Sequence, residues 1–235
     1  MTRHPIATNT MTAFARGAAG LALTSAALFV VLLAALHILK PELDPSWRFI
    51  SEYEIGDHGW IMRLAFVALA ISCAALGVAV LSQIRTLPGY LGLVLLAPSA
   101  IGMVLAGIFV TDPVTVTGDA RTASGRLHEL GAMLDLVPFA GILINWSLAR
   151  NPAWTSARRA LFWTAGIPLI GTAVFVSSLA VMLPAHGGQL GPDVLIGWPN
   201  RIMILAQCAW LLPVAWCAMR LRGAEGGAPD SQANV

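Results

Sequence analysis

Six apolar runs of about twenty residues each, set apart by polar links and loops, constrain this chain more than any other feature. They cover about residues 17–39, 60–81, 91–110, 125–148, 160–182 and 201–220. Each is long enough to cross a hydrocarbon core of about 30 Å as a helix. In lipid every backbone N–H and C=O must find a partner within its own segment, which leaves helices as the structure such runs can adopt. The fold class is therefore all-α, a polytopic membrane protein with six transmembrane helices in one bundle. Composition agrees: 57% of residues are hydrophobic and 11% charged, against about 25% charged in soluble domains.

The expected organisation is a polar segment over 1–16, a six-helix domain over 17–220 and a disordered tail over 221–235. The first run is too long for a signal-peptide core and lacks a small-residue cleavage site, so it reads as a retained span. Cys73, Cys208 and Cys217 all lie within apolar runs, with no metal-ligand spacing among them.

Placing both termini in the cytoplasm puts eight basic residues inside: Arg3, Arg16, Arg85, Arg150, Arg158, Arg159, Arg220 and Arg222. Six fall outside: Lys40, Arg48, Arg63, Arg121, Arg126 and Arg201. The inner links between spans carry arginine and no acid, and every long polar loop lands outside, so the positive-inside bias favours this orientation. The chain is expected in a cell membrane of bacterial inner-membrane type, with the bilayer as its partner and nothing that points to nucleic acid.

Prolines fall inside four spans, at Pro98, Pro138, Pro168 and Pro213. Pro138 withdraws a hydrogen bond from the Leu134 carbonyl, beside Asp135. The fourth span reads as one helix running to about Leu148, on which His128 and Asp135, seven residues apart, share a face, with Asp135 about 10 Å deeper. A carboxylate at that depth needs a partner or a polar cavity. Asn200 is the expected cap of the sixth span.

The ionisable groups gather toward the outer half. His128 is the candidate proton-handling group, with Asp135 and Asp112 to orient it or share its charge. Arg63 and Arg201 are candidates to hold an anionic headgroup, and Glu52 and Tyr53 to cover the pocket. Three readings fit. The cluster can be structural, with Arg63 and Arg201 neutralising Glu52, Asp112 or Asp135. It can be catalytic, acting on a lipid. Or it can bind a small molecule or be the proton or cation site of a coupled small-molecule transporter, for which Asn145 is nearly the only polar residue toward the inner side. No catalytic or metal-binding motif stands at the right spacing, no GxxxG pattern stands inside the apolar runs, and the sequence points to no particular cofactor. A haem held by His37 and His128 has only five histidines in the chain to draw on.

Three segments carry a family resemblance: Ile50-Ser51-Glu52-Tyr53 with Gly56 and Gly59-Trp60-Ile61-Met62-Arg63; Gly107-Ile108-Phe109-Val110-Thr111-Asp112-Pro113; and Gly125-Arg126-Leu127-His128-Glu129-Leu130-Gly131-Ala132. Together and in this order they resemble the bacterial and archaeal membrane proteins grouped as domain of unknown function 998. The resemblance covers about residues 18–220 and implies a six-span membrane protein without implying an activity. The layout is more faintly similar to the DRAM/Sfk group of six-span proteins, which have an Ile-Ser loop after span one and a His-x-x-Gly-Ala opening on span four. That similarity implies a lipid-related role. The chain departs from that group in having Ser51-Glu52-Tyr53 where the group tends to have Ser-Asp.

Overall fold

The computed structural model describes residues 11–221. The expectations for the N-terminal ten residues and for the tail from 222 onward lie outside the described residues. Six helical stretches are long and apolar enough to cross a membrane. They are α1 (Ala13–Leu39), α2 (Gly59–Leu81), α3 (Leu87–Ile108), a fourth made of α4 (Ala123–Met133) and α5 (Val137–Arg150), a fifth containing α6 (Arg158–Ala165) and α7 (Ile167–Ala185), and α8 (Gly197–Arg220). Alternating crossings put the loops 40–58, 109–122 and 186–196 at one end of the bundle, called here the loop end. The short links and both ends of the described chain lie at the other.

Starts and stops follow local chemistry. Thr12, Thr86 and Thr122 cap α1, α3 and α4 by accepting the N–H of Ala15, Gly89 and Gly125, each satisfying one of the orphan donors at a helix start. Asn200 is not such a cap. It lies inside α8, which begins three residues earlier at Gly197. Its Oδ1 instead accepts the Ile50 N–H at 3.1 Å and so holds loop one to α8.

Packing relies on small residues, because lipid tails give apolar helices no reason to prefer each other over lipid. α1 buries Ala15, Ala19, Ala22 and Ala26 and packs on α2 and α8; the Ser72 hydroxyl of α2 donates to the Ala22 carbonyl at 2.8 Å. α3 and α4 meet at Gly102 and Gly131, so closely that a β-carbon on Gly102 would collide with the Gly131 carbonyl. α7 is the peripheral span. It packs mainly on α8 and buries only Pro168 and Gly171.

The largest departure from the sequence reading is the fourth span. It is not one helix. α4 stops at Met133, and α5 starts at Val137 with Pro138 in its first turn, where a missing N–H costs nothing. Pro138 therefore opens a new helix rather than kinking an old one. The Asp135 side chain accepts the Val137 N–H at 3.3 Å and the Ser99 hydroxyl accepts the Leu136 N–H at 2.8 Å. The shared helical face expected for His128 and Asp135 is lost with the continuity. The fifth span is likewise interrupted, at Gly166.

Candidate functional site

Loop one turns inward at a 3₁₀ segment, Ile50–Glu54, which buries Ile50, Glu52, Tyr53 and Glu54 together. Three of these four carry polar groups, and each draws a different part of the chain to the loop end. Glu52 Oε2 accepts the Phe49 N–H at 3.0 Å, which closes its own turn. Its Oε1 accepts from Arg48 at 2.6 Å and from the Val114 N–H at 3.0 Å, which ties loop one to loop two. Lys40 is buried at the end of α1, and its ammonium donates to the carbonyls of Tyr53 and Ile55.

Tyr53 faces α1 and α8. Its hydroxyl accepts from Arg201 at 3.1 Å, and its ring lies 5.2 Å from that of His37. Arg201 is 3% exposed. It donates to His37 Nε2 at 2.9 Å, to the Arg48 carbonyl at 2.6 Å and to the Gly197 carbonyl at 3.1 Å. No carboxylate among the described residues forms an ion pair with it. Its guanidinium is satisfied by neutral acceptors alone, an arrangement that suits its planar array of donors. The haem reading loses its first ligand here, since His37 Nδ1 faces the Leu33 carbonyl at 2.7 Å and Nε2 takes the arginine.

Glu54 faces α2 and α4. Its Oε2 accepts the Thr111 N–H at 3.1 Å and stands 3.3 Å from His128 Nδ1. That nitrogen also lies 2.9 Å from the Phe109 carbonyl. Two acceptors facing one ring nitrogen fix it as the protonated one. The edge of Phe66 closes the site, with ring centroids 5.7 Å apart. Gly59 is required here, because a β-carbon would strike the Glu54 carbonyl. Glu54 Oε1 is buried with no hydrogen-bond partner among the described residues.

Burial pushes the Glu54 carboxyl above its ordinary 4.5, against the opposing pull of His128, Thr111 and Arg63. The folded state then holds a proton more tightly than the unfolded chain does. That contribution to stability is complete below the ordinary value and is lost as pH rises through the raised one. Glu54→Gln is expected to flatten this decline in unfolding experiments run upward from the ordinary value. A profile parallel to wild type would assign the decline to another group.

The other expected site residues are dispersed. Asp112 accepts from the Thr122 N–H at 2.8 Å and the Thr122 hydroxyl at 2.9 Å, bracing the start of α4. Asp135 accepts from the Gln207 amide and the Val137 N–H. No hydrogen bond joins His128, Asp112 and Asp135 among the described residues. The expected neutralisation by Arg63 and Arg201 is replaced by the pairs Arg48–Glu52, Arg121–Glu129 and His128–Glu54. Arg63 is exposed, one turn into α2, with Nε on the Gly107 carbonyl at 3.1 Å. Asn145 is fully engaged by Leu161, Thr164 and Trp210 and bonds spans four, five and six together. Glu54, the acid closest to His128, is the residue sequence reasoning passed over.

A family model described as a protein of unknown function, DUF998, matches residues 12–217. No curated protein and no solved structure matches the chain.

Proposed function

The chain belongs to the DUF998 family, and on that footing we propose that it is an inner-membrane protein that binds, and through the Glu54–His128 pair acts on, an anionic lipid headgroup. Both termini face the cytoplasm in this reading, and the loop end faces outward. The observation that carries it is the placement of Arg63. Its Nε is anchored on the Gly107 carbonyl, while its terminal nitrogens make no hydrogen bond with any described residue. Trp60 lies one turn away, 64% exposed. An arginine one turn below the surface beside an interfacial tryptophan stands at headgroup depth, and its free donors match a phosphate.

Behind Arg63 lies a buried acid and imidazole that can hold a proton between them. A carboxyl raised by burial and a histidine fixed by two acceptors are suited to holding and passing a proton. Glu52 and Tyr53 act in this reading as the cover that keeps water from the pair. Arg201 holds that cover in place, rather than touching the lipid. Asp112 positions His128 at one remove, by bracing the start of α4.

The test is a lipid profile of cells lacking the gene and complemented by wild type, Arg63→Ala, Glu54→Gln or His128→Gln, with membrane levels of each protein measured. The expected result is a lipid species whose level wild type restores and the well-expressed variants do not. Full complementation by all three variants would sink the proposal.

A further inference from the structure

A second polar site lies deeper, at the break in the fourth span. α4 has 11 residues, so its end sits about 16 Å below the loop end, close to the middle of a bilayer. Three consecutive carbonyls there lose the donors a continuous helix would give them. The Val137 N–H, due to Met133, goes to the Asp135 side chain. Pro138 has no N–H for Leu134. The Phe139 N–H goes to the Leu136 carbonyl at 3.1 Å rather than to Asp135. Unwound backbone at this depth is tolerated where it is buried in protein or lines a polar cavity.

Two side chains complete the set. Asp135 supplies a carboxylate, and Gln207 of α8 reaches it through its amide nitrogen. Gln207 is fully buried, and its Oε1 has no hydrogen-bond partner among the described residues. An amide whose nitrogen contacts Asp135 carries its oxygen within a few ångströms of the same carboxylate. The end of α4 adds the negative pole of a helix. Every one of these groups is an oxygen, and together they carry one formal negative charge. That is the chemistry of a hard monovalent cation. Divalent ions recruit more carboxylates, and no group of three His, Cys, Asp or Glu side chains gathers among the described residues to hold a softer metal.

We infer that the break between α4 and α5, with Asp135 and Gln207, is a binding site for a sodium-sized monovalent cation near the middle of the membrane. The ion would take the Asp135 carboxylate, Gln207 Oε1 and carbonyls from the 133–135 turn as ligands. It would give the unwound turn the partners that its own N–H groups withhold. This site is separate from the Glu54–His128 pair, and neither reading depends on the other.

The experiment uses the purified full chain in nanodiscs, titrated with sodium chloride against choline chloride at constant ionic strength. The readouts are Tm and equilibrium binding of radiolabelled sodium. Wild type should show a saturable rise in Tm and saturable binding. Both should disappear in Asp135→Asn, and Gln207→Ala should weaken binding about tenfold, the loss of one good ligand. Where Asp135→Asn is not recovered folded, the wild-type isotherm and Gln207→Ala decide alone. Wild type that does not distinguish sodium from choline overturns the inference. So does an Asp135→Asn variant that binds sodium as wild type does, or a site that responds to pH in choline chloride and not to sodium.

Discussion

Arg201→Leu is expected to lower stability by about 2–4 kcal/mol. The guanidinium donates to His37, Tyr53 and the carbonyls of Arg48 and Gly197, so its removal leaves several buried acceptors unpaired at once. Each costs about 1–3 kcal/mol. The costs do not add in full, because the acceptors share one network and because a buried cation without a carboxylate is itself expensive to desolvate. The geometry still decides the sign, since leucine offers none of the donors. Arg201→Lys should recover less than half, because an ammonium on a flexible stem cannot reach acceptors on three sides. Thermal unfolding in detergent micelles measures both. An unchanged Tm for the leucine variant would mean that desolvation of the charge cancels its hydrogen bonds.

The second large effect is steric. Gly102→Val places a β-carbon against the Gly131 carbonyl and 3.1 Å from the Leu134 side chain. A backbone oxygen cannot rotate away as a side chain can, so α3 and α4 must separate, at about 2–3 kcal/mol or more. Gly131→Ala meets the Gly102 carbonyl at 2.6 Å and Leu105 at 3.0 Å from the other side and should weaken the same contact. Gly17→Ala is the control. A β-carbon there meets nothing within 4 Å, and alanine is the better helix former. Its Tm should hold or rise slightly. If Gly102→Val is as stable as the control, the close approach of α3 to α4 contributes nothing.

The spans were legible because hydrophobic length is a one-dimensional property and each run announces itself. The break in the fourth span was legible in principle. Asp135 and Pro138 bracket the start of α5 much as Thr86 and Pro88 bracket that of α3, although the α5 cap position itself is Leu136 and Asp135 stands one residue before it. Inside an unbroken apolar run, however, the proline reads as a kink, because hydropathy does not change across it. The polar layer was the least legible. Glu54 is one of five acids in loop one, and which of them turns inward depends on a 3₁₀ segment whose side chains advance by about a third of a turn per residue. Arg201 and His37 are 164 residues apart, a pairing no local pattern encodes. Their residue types marked them as candidates, while their partners were set by the folded bundle.

The grip of α8 on loop one also sets an order of events during synthesis. Ile50 is bonded to Asn200, 150 residues further on. At about 5–20 residues per second the later residue emerges roughly 8–30 s after the earlier one. For that interval Tyr53 and His37 lack the arginine that later holds them, and loop one has no α8 to rest on. The part of the polar layer built on Asn200 and Arg201 therefore closes only after α8 has emerged. A ribosome stalled before the sixth span would leave a chain with five inserted helices and an open loop end, a state that quality-control proteases could recognise by its uncovered polar groups.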